Sequence, residues 1–186
     1  MGWNMAFRLL LLLLCAVSVQ AAEVAGVKID ERASVQNAEL TLIGAGLRKR
    51  LFFRVYAIGL YVQDPKADPI AQPGPKRVRI HMLRDVSAEQ FTEALVDGIK
   101  ANHTEAEAKA LEPRLKQLGA IMAQLKEARS GMAIALDWTG KETVLAVDGK
   151  PAGAPIPGED FYRALLRIWL GANPVQDDLK KALAGG

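Results

Sequence analysis

Arg54 and Tyr56 stand inside Leu51-Phe52-Phe53-Arg54-Val55-Tyr56-Ala57-Ile58-Gly59-Leu60-Tyr61-Val62, a run otherwise apolar and strand-forming, where a cation and a phenol need partners. Successive strand side chains point to opposite faces, so Phe52, Arg54, Tyr56, Ile58 and Leu60 share one face and Phe53, Val55, Ala57, Gly59 and Tyr61 the other. The first face is mixed, and such a face suits an amphipathic ligand. An arginine forks onto a carboxylate, a tyrosine hydroxyl adds a hydrogen bond, and the apolar neighbours accept the ligand's body. The alternative on the same residues is that Arg54 snorkels to solvent and Tyr56 is a half-buried sheet tyrosine.

The cluster Arg48-Lys49-Arg50 precedes this run, where two β patterns meet, and the pair reads as a hairpin. Its cations alternate with apolar residues, and the net charge of +3 is spread along the 186 residues. With no basic stripe and no recognisable module, nucleic acid is not an expected partner. His81 and His103 are too few and too far apart to build a metal site with nearby carboxylates, and no cofactor is expected. Gly44-Ala45-Gly46 lacks the third glycine and the following helix of a dinucleotide loop, so these glycines serve close packing or a bend. Ser87 is a helix cap rather than a nucleophile, since no histidine stands in a triad context.

Residues 1–22 have the build of a secretory signal peptide: Arg8, then the apolar core Leu9 to Leu14, then the small-residue pattern Val19-Gln20-Ala21. Residues 23–186 then form one domain, exported to the periplasm or the medium, with no membrane span after cleavage. Cys15, the only cysteine, leaves with the leader, so stability rests on the core rather than on a disulfide.

The elements that position Arg54 and Tyr56 follow from pattern. Strands are expected at 24–29, 39–47, 51–62 and 77–83, with loops at Asp64-Pro65-Lys66 and Gln72-Pro73-Gly74-Pro75. Ser87-Ala88-Glu89-Gln90 is a capping box that opens a helix whose apolar face is Phe91, Ala94, Leu95, Gly98 and Ile99. A second helical stretch from Thr104 to Glu127 contains Pro113, which predicts a kink or restart near Leu111. Strands at 132–138 and 142–147 follow, then a helix over Glu159 to Leu170, and Asn173-Pro174 is expected to start a last helix. Strands, grouped helices, strands and helices again give an α+β class: a large antiparallel sheet covered on one face by helices.

Gly44-Ala45-Gly46-Leu47-Arg48, followed by a strand through Ala57-Ile58-Gly59-Leu60-Tyr61, resembles the chalcone isomerase superfamily, most closely its bacterial secreted branch, over residues 24 to 186. The resemblance implies the same α+β layout with a ligand cleft between sheet and helices. It makes Arg48 the main anion contact and Tyr56 a hydrogen-bond donor, with Arg54 secondary. Tyr56 stands where catalytic members carry threonine and so matches the fatty-acid-binding pattern. The helix positions that hold tyrosine, lysine and asparagine in catalytic members correspond to Phe91, Ala94 and Gly98, and a threonine–methionine pair to Ile168-Trp169. Isomerase activity is therefore not expected, and no catalytic residue is assigned. The expected role is non-catalytic binding of a small amphipathic anion such as a fatty acid. The alternatives are an interaction protein of the cell envelope with a closed cleft, and an isomerase or lyase using Arg48 to stabilise an oxyanion.

Overall fold

The computed structural model describes residues 22–185, so the leader reading of residues 1–22 lies almost wholly outside the described residues. In chain order the strands are β1 (Ala22–Val24), β2 (Val27–Ile29), β3 (Arg32–Val35), β4 (Ala38–Arg50), β5 (Phe53–Val62), β6 (Lys76–Met82) and β7 (Val86–Ser87). Helices α1 (Ala88–Ala101) and α2 (Glu105–Leu125) come next. After them run β8 (Glu127–Ala128), β9 (Ala133–Trp138), β10 (Glu142–Val147), β11 (Lys150–Pro151), β12 (Ile156–Pro157), α3 (Glu159–Leu170) and α4 (Asp177–Leu183). The central sheet is antiparallel in the order β11-β10-β9-β6-β5-β4-β3, with β12 on β10.

The helices cover one face of this sheet, as the α+β expectation required. Ile58, Leu60, Val78, Ile80 and Leu136 point from the strands into a core closed by Leu95, Leu118, Phe161, Leu165 and Trp169. Burying each such side chain stabilises the fold by about 1.5–3 kcal/mol. The odd-numbered partners Ala57 and Tyr61 face the other way and form a second, smaller cluster with Ile29, Val35 and Leu40, so the alternation read along β5 holds through its inner half. No helix among the described residues is long and apolar enough to cross a membrane.

The Ser87 capping box forms as expected: the Ser87 hydroxyl accepts from the Gln90 N–H at 3.2 Å, and the Gln90 side-chain oxygen Oε1 accepts from the Ser87 N–H at 3.4 Å. Three expectations need correction. The strand at 24–29 is a hairpin, because Ala25 and Gly26 both take positive φ (54° and 88°) and turn the chain back on itself. Helix α2 is continuous through Pro113, so of the kink or restart expected there the restart does not occur. The ring removes one N–H and leaves the Lys109 carbonyl to solvent on an exposed face, where water can satisfy it. Helix α4 starts at Asp177 rather than at Asn173-Pro174, because Asn173 is engaged elsewhere: its side chain donates to the Ala101 carbonyl at 2.8 Å and its N–H to Asn102 Oδ1 at 2.9 Å, locking the loop to the end of α1.

Candidate functional site

Arg48 on β4 lies directly opposite Tyr56 on β5, so the hairpin brings these two residues together as a cross-strand pair. Immediately outward the register slips: Lys49 pairs with Arg54, and Val55 is the extra residue of a β-bulge. The face that Tyr56 shares with Ile58 and Leu60 is therefore not carried on regularly to Arg54. Arg54 sits exposed towards the hairpin tip and hydrogen-bonds to neither Arg48 nor Tyr56.

The Arg48 guanidinium is half-buried, and one terminal nitrogen donates to the Lys49 carbonyl at 2.6 Å and to Gln176 Oε1 at 3.2 Å. Gln176, just ahead of α4, was not singled out by the sequence, yet it stitches the C-terminal helix to the hairpin. Its carbonyl oxygen also accepts from the Lys49 N–H at 2.8 Å, and its amide donates to the Leu47 carbonyl at 3.0 Å. At a separation of 128 residues no local signal could have found this contact. The glycines Gly44 and Gly46 have a packing reason, as the motif reading held: a Cβ on Gly46 would lie 2.6 Å from Leu179 Cδ1, and one on Gly44 would collide with the Ala182 carbonyl of α4.

The Tyr56 hydroxyl accepts a hydrogen bond from the Trp169 indole N–H at 2.9 Å. Burial pushes the phenol up from its ordinary value, opposed by the Trp169 hydrogen bond and the nearby Arg48 charge, so at neutral pH the group keeps its proton. No acceptor for that proton is present among the described residues. Next to Trp169, between β5 and β6 on one side and α3 and α4 on the other, lies a crevice lined by Ile58, Leu60, Val78, Leu166, Trp169, Leu170 and Leu183 and too narrow to hold a water molecule.

Phe91 is buried in the helix-side core, and the space at Gly98 is taken: a Cβ there would lie 2.7 Å from Ile168 Cγ2. Ile168 and Gly98 thus fit each other, and neither Phe91 nor Gly98 brings a polar group to the core; Ala94, expected on the apolar face of α1, is instead exposed. The two histidines stand apart in structural settings. His103 Nδ1 lies 2.8 Å from the Ile99 carbonyl and Nε2 lies 3.1 Å from Arg167. His81, on the strand face away from the helices, is held below its ordinary pKa by burial and by the Arg79 charge.

A family model described as chalcone isomerase-like matches residues 21–185. A crystal structure of a fatty-acid binding protein from Arabidopsis thaliana shares the fold with a TM-score of 0.65 at 15% identity, covering 86% of this chain and 92% of that one. No curated protein matches the sequence.

Proposed function

Because this chain belongs to the chalcone isomerase-like family, we propose that it binds a small amphipathic anion such as a fatty acid, without turning it over, in the seam between sheet and helices. One observation carries the reading. Beside an apolar seam whose wall includes Trp169, the Tyr56 hydroxyl has a proton with no acceptor among the described residues, and next to it stands the half-buried Arg48 guanidinium, which forms no ion pair among them. A carboxylate placed between them receives a charge-assisted bond from Arg48 and a second bond from Tyr56. Its hydrocarbon body then continues along Ile58, Leu60 and Leu166. The fatty-acid-binding protein with the same fold supports this ligand class, and the buried, non-polar Phe91 and Gly98 support binding without turnover.

Pockets for ligands of this size are roughly 300–1,000 Å³, whereas this crevice does not admit even a water molecule, so occupancy requires it to open. The elements that move are the Trp169 side chain and α4, a helix of 7 residues held to the hairpin by Gln176 and packed on Gly44 and Gly46. The leader pattern in residues 1–22 supports export, so the ligand is met in the periplasm or outside the cell.

The test is thermal unfolding across a fatty-acid series for wild type, Arg48→Ala and Tyr56→Phe. A ligand that binds only the folded state raises Tm as its concentration exceeds Kd. The expected result is a rise in wild type, abolished in Arg48→Ala and reduced in Tyr56→Phe. The narrowness of the crevice favours a second reading, an envelope interaction protein whose seam stays shut. It predicts no rise with any member of the series, and an effect of Arg48→Ala on stability alone.

A further inference from the structure

We propose that the tip of the β4–β5 hairpin is a docking element for an anionic lipid surface. Leu51, Phe52 and Phe53 are 84%, 98% and 56% exposed, consecutive, and at the end of a hairpin that projects past its neighbours' hydrogen bonds. Arg50 pairs with Phe53, so Leu51-Phe52 is a two-residue turn, and Leu51 takes φ 55° at the first central position, where such a turn favours glycine. The other two-residue hairpins in the described chain use Ala25-Gly26, Gln36-Asn37 and Asp148-Gly149. Only at 51–52 do two large apolar residues occupy the turn, against both conformational preference and solvent, with no gain in packing. A local rule broken without benefit to the fold marks a site kept for another purpose.

The charges around the tip identify that purpose. Lys49, Arg50, Arg54 and Arg84 are all exposed there, and the Arg84 guanidinium carbon lies 4.6 Å from the centre of the Phe53 ring. None of the four forms an ion pair among the described residues, so each is free to meet a headgroup. The neighbouring carboxylate Asp85 is turned to the Ser130 N–H at 2.7 Å. An apolar point inside a collar of free cations complements a bilayer with anionic headgroups: the aromatic and aliphatic side chains enter the acyl boundary while the cations meet phosphates. A second copy of this chain fits poorly, since tip-to-tip contact would bring the two collars of like charge together. Docking in this way sets the Arg48–Tyr56 pair, which begins one residue inside Lys49, against the lipid.

The experiment sediments the exported chain, residues 23–186, with vesicles of phosphatidylglycerol and phosphatidylethanolamine, and separately with phosphatidylcholine alone. Wild type is expected to bind the anionic vesicles and to bind the neutral ones more weakly. Phe52→Ser is expected to lower binding to anionic vesicles on the order of tenfold, from the lost burial of one ring. Arg50→Glu should lower it by a similar factor, since each cation near an anionic surface contributes about fivefold. Both positions are exposed, so unchanged Tm values separate lost docking from lost folding. Equal sedimentation of wild type and Phe52→Ser assigns any binding to another segment and overturns the proposal. It is equally overturned if wild type stays in solution with anionic vesicles, or if Phe52→Ser instead converts a dimer to a monomer.

Discussion

The two ends of strand β5 break the inside–outside rule in opposite senses. At its start Leu51, Phe52 and Phe53 hold large apolar side chains in water. At its end Val62 pairs with Lys76, whose side chain is 0% exposed and whose ammonium has no hydrogen-bond partner among the described residues. Apart from the backbone strain at Leu51, the first departure costs the fold almost nothing, because an exposed apolar group is as exposed in the unfolded chain. The second removes a cation from water without compensation, and burial accordingly pulls the Lys76 pKa below its ordinary value, against the more distant charge of Glu159. Exposed apolar side chains can be spared for recognition, whereas a buried unpaired charge draws directly on stability.

The largest expected effect tests the buried half of the same strand. Leu60→Ala removes a side chain that is 1% exposed at the wall of the crevice, and should cost about 2–5 kcal/mol in urea unfolding while leaving vesicle binding intact. Loss of vesicle binding by the folded variant would mean that the tip and the core are not separable. Lys76→Met should act in the opposite direction, raising stability by about 2 kcal/mol at neutral pH. The pH dependence supplies a check of sign. With the folded pKa below the unfolded value of 10.5, the unfolded chain binds more protons between the two, so wild-type stability should rise with pH across that window. In Lys76→Met that rise should vanish, and its persistence would assign the titration to another group.

Replacing Leu51-Phe52 by Gly-Asn gives the turn residues suited to positive φ at its first position. Unfolding free energy should rise by about 1 kcal/mol as strain at Leu51 is relieved, and vesicle binding should be lost. A fall in stability would show that the apolar turn supports the fold after all. The smallest effect lies on the far side of the molecule, where Arg114 forks onto Asp160 with both bonds at 2.6 Å. That contact holds the carboxyl below its ordinary 3.8, so its contribution is present above that pH and disappears as pH falls through the depressed value. Because the Asp160 side chain is 65% exposed, Asp160→Asn should change stability by only about 0.5 kcal/mol and flatten the acid limb slightly.

Features encoded within a few residues were legible in the sequence. The Ser87 capping box, the span of α3 from Glu159 to Leu170 and the alternation of Ile58, Leu60, Ala57 and Tyr61 each depend on local spacing alone. Resemblance supplied the pairing of interest in Arg48 and Tyr56, and the hairpin register joined them. What escaped the sequence spans long separations: Trp169 reaches Tyr56 across 113 positions and Gln176 reaches Arg48 across 128. The start of α4 was hidden for the same reason, since Asn173 has the chemistry of a cap but uses it on Ala101 and Asn102. Nor does a one-dimensional alternation reveal the bulge at Val55, which separates Arg54 from the pair it would otherwise join.

The central claim is that Arg48 and Tyr56 hold an anion over the seam, and native mass spectrometry of protein purified from its own host tests it most directly, with lipid analysis of the denatured sample. Binding predicts a co-purified amphipathic anion at one equivalent in wild type that is absent from Arg48→Ala. An empty wild-type protein that also gains no mass when incubated with fatty acids would contradict the account and leave the closed-seam interaction protein in its place.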